Sequence, residues 1–176
     1  MKKLLLIIAF VCVSGLSAFA QRFAYVDSEY ILKHIPEYNS AQKQLDALSQ
    51  QWQKQVDDRL AEVEKLFKAY QADQVMLTPD MRKRREEEIV EKEKAAKEFQ
   101  RQKFGFEGEL YQQRIKLIKP IQERVARAVE AVAESNQLDM ILDKNSQVIL
   151  LYASSRLDKS NEVITRLGYK PGTVAQ

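Results

Sequence analysis

The sequence predicts a mainly α protein with a small β body (α+β), in which a long antiparallel helical hairpin projects from a β-rich oligomerisation body. Three observations carry this. Between Asn39 and Asn136 the chain holds almost nothing but helix formers, broken once at Leu77-Thr78-Pro79-Asp80. Apolar residues on both sides of that break recur three or four positions apart, so each side has one apolar stripe. Beyond Asn136 the helical period gives way to short apolar runs separated by polar turns.

Residues 1–20 are set aside first, because they read as an export signal. Lys2 and Lys3 form a basic start, Leu4 to Val13 an apolar stretch too short to span a bilayer, and Ala18-Phe19-Ala20 a small-x-small cleavage site. Cleavage after Ala20 is expected to leave Gln21 as the mature N-terminus and to deliver the protein to the periplasm. Cys12 is a poor lipidation site, because bulky Phe10 and Val11 precede it where small residues are expected. Loss of the leader lowers the basic count from 28 to 26 against 25 acids, so net charge falls from +3 to +1. It also removes the chain's one cysteine, which excludes a disulfide framework and thiol chemistry.

Arg22-Phe23-Ala24-Tyr25-Val26 reads as a strand, followed by Asp27 or Ser28 as cap of a short helix from Glu29 to His34. Pro36 suits the first turn of the next helix, where its missing N–H costs nothing. On that helix Leu45, Leu48, Trp52, Val56, Val63, Leu66, Phe67 and Tyr70 form the stripe. Trp52 and Tyr70 are expected to pack within the hairpin rather than to meet a ligand. At the tip Thr78 is the expected N-cap, Pro79 the first helical residue, and Asp80 the carboxylate that the positive helix end favours.

The return helix is expected to run from Pro79 to about Ser135. Its stripe comprises Phe99, Phe106, Leu110, Leu117, Ile121, Val125, Ala128 and Val132. Gly105 and Gly108 fall inside that helix, each costing about 1 kcal/mol against alanine. They allow either close approach of the partner helix or a flexible hinge. Pro120 is expected to kink the rod. Gln137 to Asp143 and Gln147 to Tyr152 then read as a strand hairpin turning at Lys144-Asn145-Ser146. Asp158 is expected to cap a last helix that Gly168 ends in a left-handed conformation. The resulting organisation is a signal at 1–20, a body from 21–37 and 136–170, an arm at 38–135 with its tip near 77–80, and a tail at 171–176. So small a body buries too little surface to anchor such an arm alone, and association through the strands is the expected remedy. The expected oligomer core is Phe23, Tyr25, Ile149 and Leu151.

The order of these elements resembles the Skp/OmpH family. The segments that carry the likeness are Phe23-Ala24-Tyr25-Val26-Asp27, the charged hairpin, Ile121 to Val129 leading into Leu138 to Asp143, the strand Val148 to Tyr152 and the Asp158-led helix. It covers essentially the whole mature chain, although its motifs are structural. The resemblance implies a periplasmic holdase for unfolded outer-membrane proteins, with three subunits joined through their β bodies and their arms around a cavity. Pro120, the glycine pair and the near-neutral mature charge depart from the family pattern.

Nothing in the sequence points to catalysis or to a cofactor. His34 is the lone histidine, expected as a capping or surface residue, and no phosphate loop, metal-ligand cluster or nucleophile motif occurs. Glu86, Glu87 and Glu88 are consecutive on a helix and so point three ways. Arg82, Lys83, Arg84 and Arg85 follow the tip turn, and from Arg82 to Lys103 nine basic residues face six acids. They read either as a solvated face supported by Arg84–Glu88 and Glu88–Lys92 pairs, or as a contact for anionic lipid, lipopolysaccharide or acidic client segments. Nucleic acid is a poor partner for an exported protein with only a local basic patch. Met76, Leu77 and Met81 flank the tip, either stapling the turn or offering adaptable apolar contact. The alternative to a chaperone is a structural coiled-coil spacer or adaptor of the cell envelope.

Overall fold

A computed structural model describes residues 22–146 and 150–172. The export signal, Val148 and Ile149 lie outside the described residues, as does the end of the tail from 173 onward. The elements are β1 (Phe23–Val26), α1 (Ser28–Lys33), α2 (Pro36–Asp73), α3 (Pro79–Phe104), α4 (Glu109–Ser135), β2 (Met140–Asp143), a 3-10 turn (Ser155–Leu157) and α5 (Ser160–Arg166). The chain is mainly helical with a small sheet, as its patterning predicts.

Local chemistry accounts for most of the boundaries. The Asp27 carboxylate accepts the Tyr30 N–H at 2.8 Å and starts α1. Pro36 opens α2, whose 38 residues extend about 57 Å. Thr78 Oγ1 accepts the Met81 N–H at 3.3 Å, with Pro79 as the first residue of α3. Gly168, at φ 89, ends the chain's last helix while the Tyr169 N–H reaches back to the Ile164 carbonyl at 3.0 Å. The Asp158 carboxylate accepts from both the N–H and the hydroxyl of Ser160, at 2.9 and 2.6 Å, and so fixes the start of α5.

One continuous core fills the body and the near part of the arm. Ile31 and Ile35 meet Leu45 on α2, Ile121, Val125 and Val132 on α4, and Val163 and Ile164 on α5. α4 runs without interruption through Pro120. Farther out the arm is thin. There Trp52, Val56, Tyr70 and Ala96 are its buried residues.

The structure corrects the sequence reading in four places. The return helix is two helices, because the chain leaves helical geometry between Gly105 (ψ 178) and Gly108 (ψ 176), with Glu107 at φ 54. Phe106 consequently leaves the apolar stripe and is 97% exposed. β2 pairs in parallel with β1, Phe23 opposite Met140 and Val26 opposite Asp143; of the run expected to follow it as a second strand, residues 150–152 are not in a strand and residues 147–149 lie outside the described residues. Parallel pairing is open to β2 because α2, α3 and α4 supply the long crossover that two parallel strands require. Finally, His34 caps the end of α1 as expected of a helix-end residue, but it is buried in the core and not on the surface, its Nδ1 2.8 Å from the Tyr30 carbonyl and its ring edge-on to Tyr30.

Candidate functional site

Three regions leave apolar or charged groups without cover: the open side of the body, the joint on the return helix and the tip. On the body, Tyr25 O accepts the Lys159 N–H at 2.9 Å, so among the described residues β1 has neighbours on both sides while β2 is paired on one side only. Beside β2 lies a groove of about 610 Å³, lined by Ile31 and Leu32 of α1, Val125 and Val129 of α4, and Leu138 and Ile141. Met140, which lines it, and Phe23, paired opposite Met140 on β1, are both about half exposed, and Leu151 and Tyr152 extend into solvent. An isolated two-stranded sheet is marginal in water, and among the described residues this edge lacks the cover a stable body needs. Of the expected core residues, Phe23 is exposed, Tyr25 is half-buried, Leu151 is exposed, and Ile149 lies outside the described residues.

Charged networks brace the body around this edge. Arg124 donates to Glu37 at 3.2 Å and to the Tyr169 hydroxyl at 3.3 Å, and Tyr169 donates to Glu37 at 2.9 Å. The Glu37 carboxyl is held below its ordinary range by its own backbone N–H, Arg124 and Tyr169. Burial pushes Tyr169 up, reinforced by Glu37. Burial also pushes Asp27 up, but the Tyr30 N–H, Asn145 and Lys144 outweigh it and leave that carboxyl lowered. Glu162 is lowered by Lys159 and Asn136. These groups tie α1, α2, α4 and α5 together.

At the joint, Gly105 donates its N–H to the Arg101 carbonyl at 2.8 Å and Gly108 donates to the Gly105 carbonyl at 2.9 Å. A Cβ at Gly105 would lie 2.3 Å from the Arg101 oxygen, and one at Gly108 would lie 2.9 Å from the Gln102 oxygen. The crowding comes from the preceding turn of the same helix, rather than from the partner helix. Opposite the joint, Trp52 of α2 meets Phe104 edge-on at 6.4 Å. Lys103 stands over Trp52 at 4.9 Å and binds Glu109 at 2.5 Å. Sequence reasoning placed Trp52 in the hairpin and missed Lys103. The available signal was a lysine within Phe99-x-x-x-Lys103-Phe104 facing the chain's only tryptophan.

At the tip, Val75, Met76 and Met81 are 87%, 78% and 51% exposed, whereas Leu77 is half-buried and its carbonyl accepts from Arg82 Nε at 3.2 Å. Leu77 therefore closes the turn, and the methionines face water. Arg82, Lys83, Arg84 and Arg85 are all exposed. Arg85 pairs with Glu88 at 3.1 Å and Lys83 reaches Glu87 at 4.0 Å. The expected Arg84–Glu88 and Glu88–Lys92 pairs are replaced, since Lys92 bridges to Glu62 on α2 at 2.9 Å. Tyr70 donates to Glu86, which raises the Tyr70 hydroxyl's pKa. Glu86, Glu87 and Glu88 thus each serve a different partner, and among the described residues no cluster could hold a metal ion.

Among the described residues no helix is long and apolar enough to cross a membrane. No curated protein matches the sequence. A solved structure named for a candidate outer membrane chaperone (OmpH-like) from Caulobacter crescentus CB15 superposes with a TM-score of 0.65. It is 14% identical, and the likeness covers 89% of this chain and 90% of that one, which establishes a shared fold. The profile of the family described as "Outer membrane protein (OmpH-like)" matches residues 22–167, from β1 to the end of α5. That family is non-enzymatic. With every element of arm and body inside the match, the chain belongs to the OmpH-like family.

Proposed function

We propose that this protein is an ATP-independent holdase chaperone of the periplasm, which holds unfolded outer-membrane proteins between its helical arms and prevents their aggregation. The observation that carries the reading is the separation of core from arm. The continuous core ends near Leu45 and Ile118, and beyond it a slender hairpin with sparse burial and an apolar, basic tip extends outward. Such a shape offers many weak contacts along its length and no enclosed site. The solved relative's name, outer membrane chaperone, agrees with this use.

The body completes itself as a homotrimer, in which Phe23 and Tyr25 of β1, the exposed Leu151 and the open groove beside β2 are covered by neighbouring copies. The uncovered apolar edge supports this, and sedimentation equilibrium of the mature protein tests it by giving about three times the chain mass. Arg82 to Arg85, with Met76, Leu77 and Met81, form a tip that meets anionic lipid, lipopolysaccharide or acidic client segments. A second reading, an envelope spacer, draws on the unbroken 38 residues of α2, which favour stiffness. An aggregation assay with an unfolded outer-membrane β-barrel protein separates the two. Suppression at a few arms per client supports the holdase, and no suppression at any ratio supports the spacer.

A further inference from the structure

The two sides of the arm differ mechanically. α2 passes the joint as one uninterrupted helix, whereas the return side is cut between Phe104 and Glu109. The arm therefore resembles a beam with one continuous leaf and one notched leaf. Gentle curvature is inexpensive for a long helix. Bending of the whole arm then reduces to opening or closing the notch, and whatever spans the notch sets the resting angle.

Few groups span it. Gly108 donates to the Gly105 carbonyl, but the regular helical ladder is absent from the joint itself. Lys103 is the side chain placed to close it. It sits in the last turn of α3, and Glu109 is the first residue of α4, so each charge also faces the helix end that favours it. Their ion pair is 2.5 Å long, and Nζ lies 4.9 Å from the Trp52 ring and 5.4 Å from the Phe99 ring. One cation thus joins all three helices. Its side chain is 16% exposed, against 48% for Lys92 in the ion pair that joins α3 to α2 farther out. Exclusion of water on the two rings strengthens both the cation–π contact and the pair.

We propose that Lys103 is the latch of a bending joint: docked between Trp52 and Glu109 it holds the arm at one angle, and released it lets the outer arm swing while α2 flexes. The latch is distinct from the glycines, which permit the break but do not hold it at any angle. This inference rests on the geometry of the arm alone and does not depend on the holdase reading.

Hydrogen exchange on the full-length protein tests it. Lys103→Met keeps the aliphatic stem over Trp52 but removes the charge, Glu109→Gln removes the partner, and Lys103→Arg preserves both interactions. The Gly108 and Gln112 amides, which donate to the Gly105 and Gly108 carbonyls, report on the joint. They should exchange about five-fold faster in Lys103→Met and Glu109→Gln, stay near wild type in Lys103→Arg, and leave outer-arm amides unchanged. Spin labels at exposed positions 90 and 119, in labelled protein diluted into unlabelled, should show a broadened distance distribution in Lys103→Met. Unchanged exchange and unchanged distances overturn the latch. So does equal acceleration along the whole arm, which makes Lys103 an ordinary stabilising contact.

Discussion

Replacing Gly105 with alanine sets two physical arguments against each other. Helix propensity alone makes the change stabilising by about 1 kcal/mol, because a glycine inside a helix costs that much. The structure gives the opposite sign. Gly105 lies at φ −67 and ψ 178, which alanine can adopt, so the backbone angles do not forbid it. Its new Cβ, however, would stand 2.3 Å from the Arg101 carbonyl oxygen and 3.2 Å from both the Arg101 carbonyl carbon and Cγ. The blocking atom belongs to the backbone and cannot rotate away. Relief requires the last turn of α3 to unwind or the joint to shift, at a cost of about 1–3 kcal/mol for overpacking. Alanine's smaller unfolded-state entropy offsets about 0.4–1 kcal/mol of that. The net expectation is a loss of about 1–2 kcal/mol, or a Tm lower by roughly 2–8 °C for a chain of this size. Far-UV circular dichroism at fixed protein concentration measures it, the concentration being held because association moves Tm. Gly108→Ala, whose closest contacts are 2.9 and 3.0 Å, should cost less. A Tm raised by Gly105→Ala would refute the reasoning and show that the return helix closes up across the joint.

Three further outcomes follow from the same geometry. Trp52→Ala should destabilise the arm by about 3 kcal/mol, since it removes a nearly buried ring packed on Phe104 and Lys103; urea denaturation reads the loss, and a change below 1 kcal/mol contradicts the packing. Asp27, Glu37 and Glu162 all have lowered carboxyl pKa values in the fold, so the unfolded chain binds protons more readily. Their stabilisation is fully present above the ordinary carboxylate range and disappears as pH falls below about 4, which an acid titration of tertiary structure detects. Reversal of Arg82, Lys83, Arg84 and Arg85 to glutamate should leave Tm nearly unchanged, because all four are exposed, yet weaken binding to anionic vesicles at low salt and matter less at high salt.

The parts of the fold legible in the sequence are those decided within a turn or two of chain. Asp27 and Thr78 start their helices, and Gly168 closes the last one, through bonds spanning three to five positions, so the residue types alone announce them. The stripes from Leu45 to Tyr70 and from Ile121 to Val132 follow from helical period in the same way, except that Phe67 turns out to solvent at 47% exposure. The unreadable parts depend on distant partners. β2 pairs with a strand more than a hundred residues earlier, and nothing local distinguishes that from a hairpin. Gly105 and Gly108 could be noticed but not interpreted, because what crowds them is the geometry of the turn before them. His34 is recognisable as a helix-end residue, but its burial emerges only once α1 is folded onto the core. At the tip, identity revealed Met76 and Met81 but could not tell that Leu77 turns inward.

The measurement that tests the central claim most directly is client protection by a protein whose arm has been shortened in register. The Glu62–Lys92 ion pair marks matching positions on α2 and α3, so deleting Val63–Glu91 and closing with a short glycine turn removes the outer hairpin while sparing the joint and the body. The shortened protein should sediment like the full-length one and keep its body's cooperative melt. It should nevertheless fail to keep an unfolded outer-membrane β-barrel protein soluble under conditions where the full-length protein succeeds. Undiminished protection by the shortened, correctly assembled protein would contradict a holdase that works through its arms.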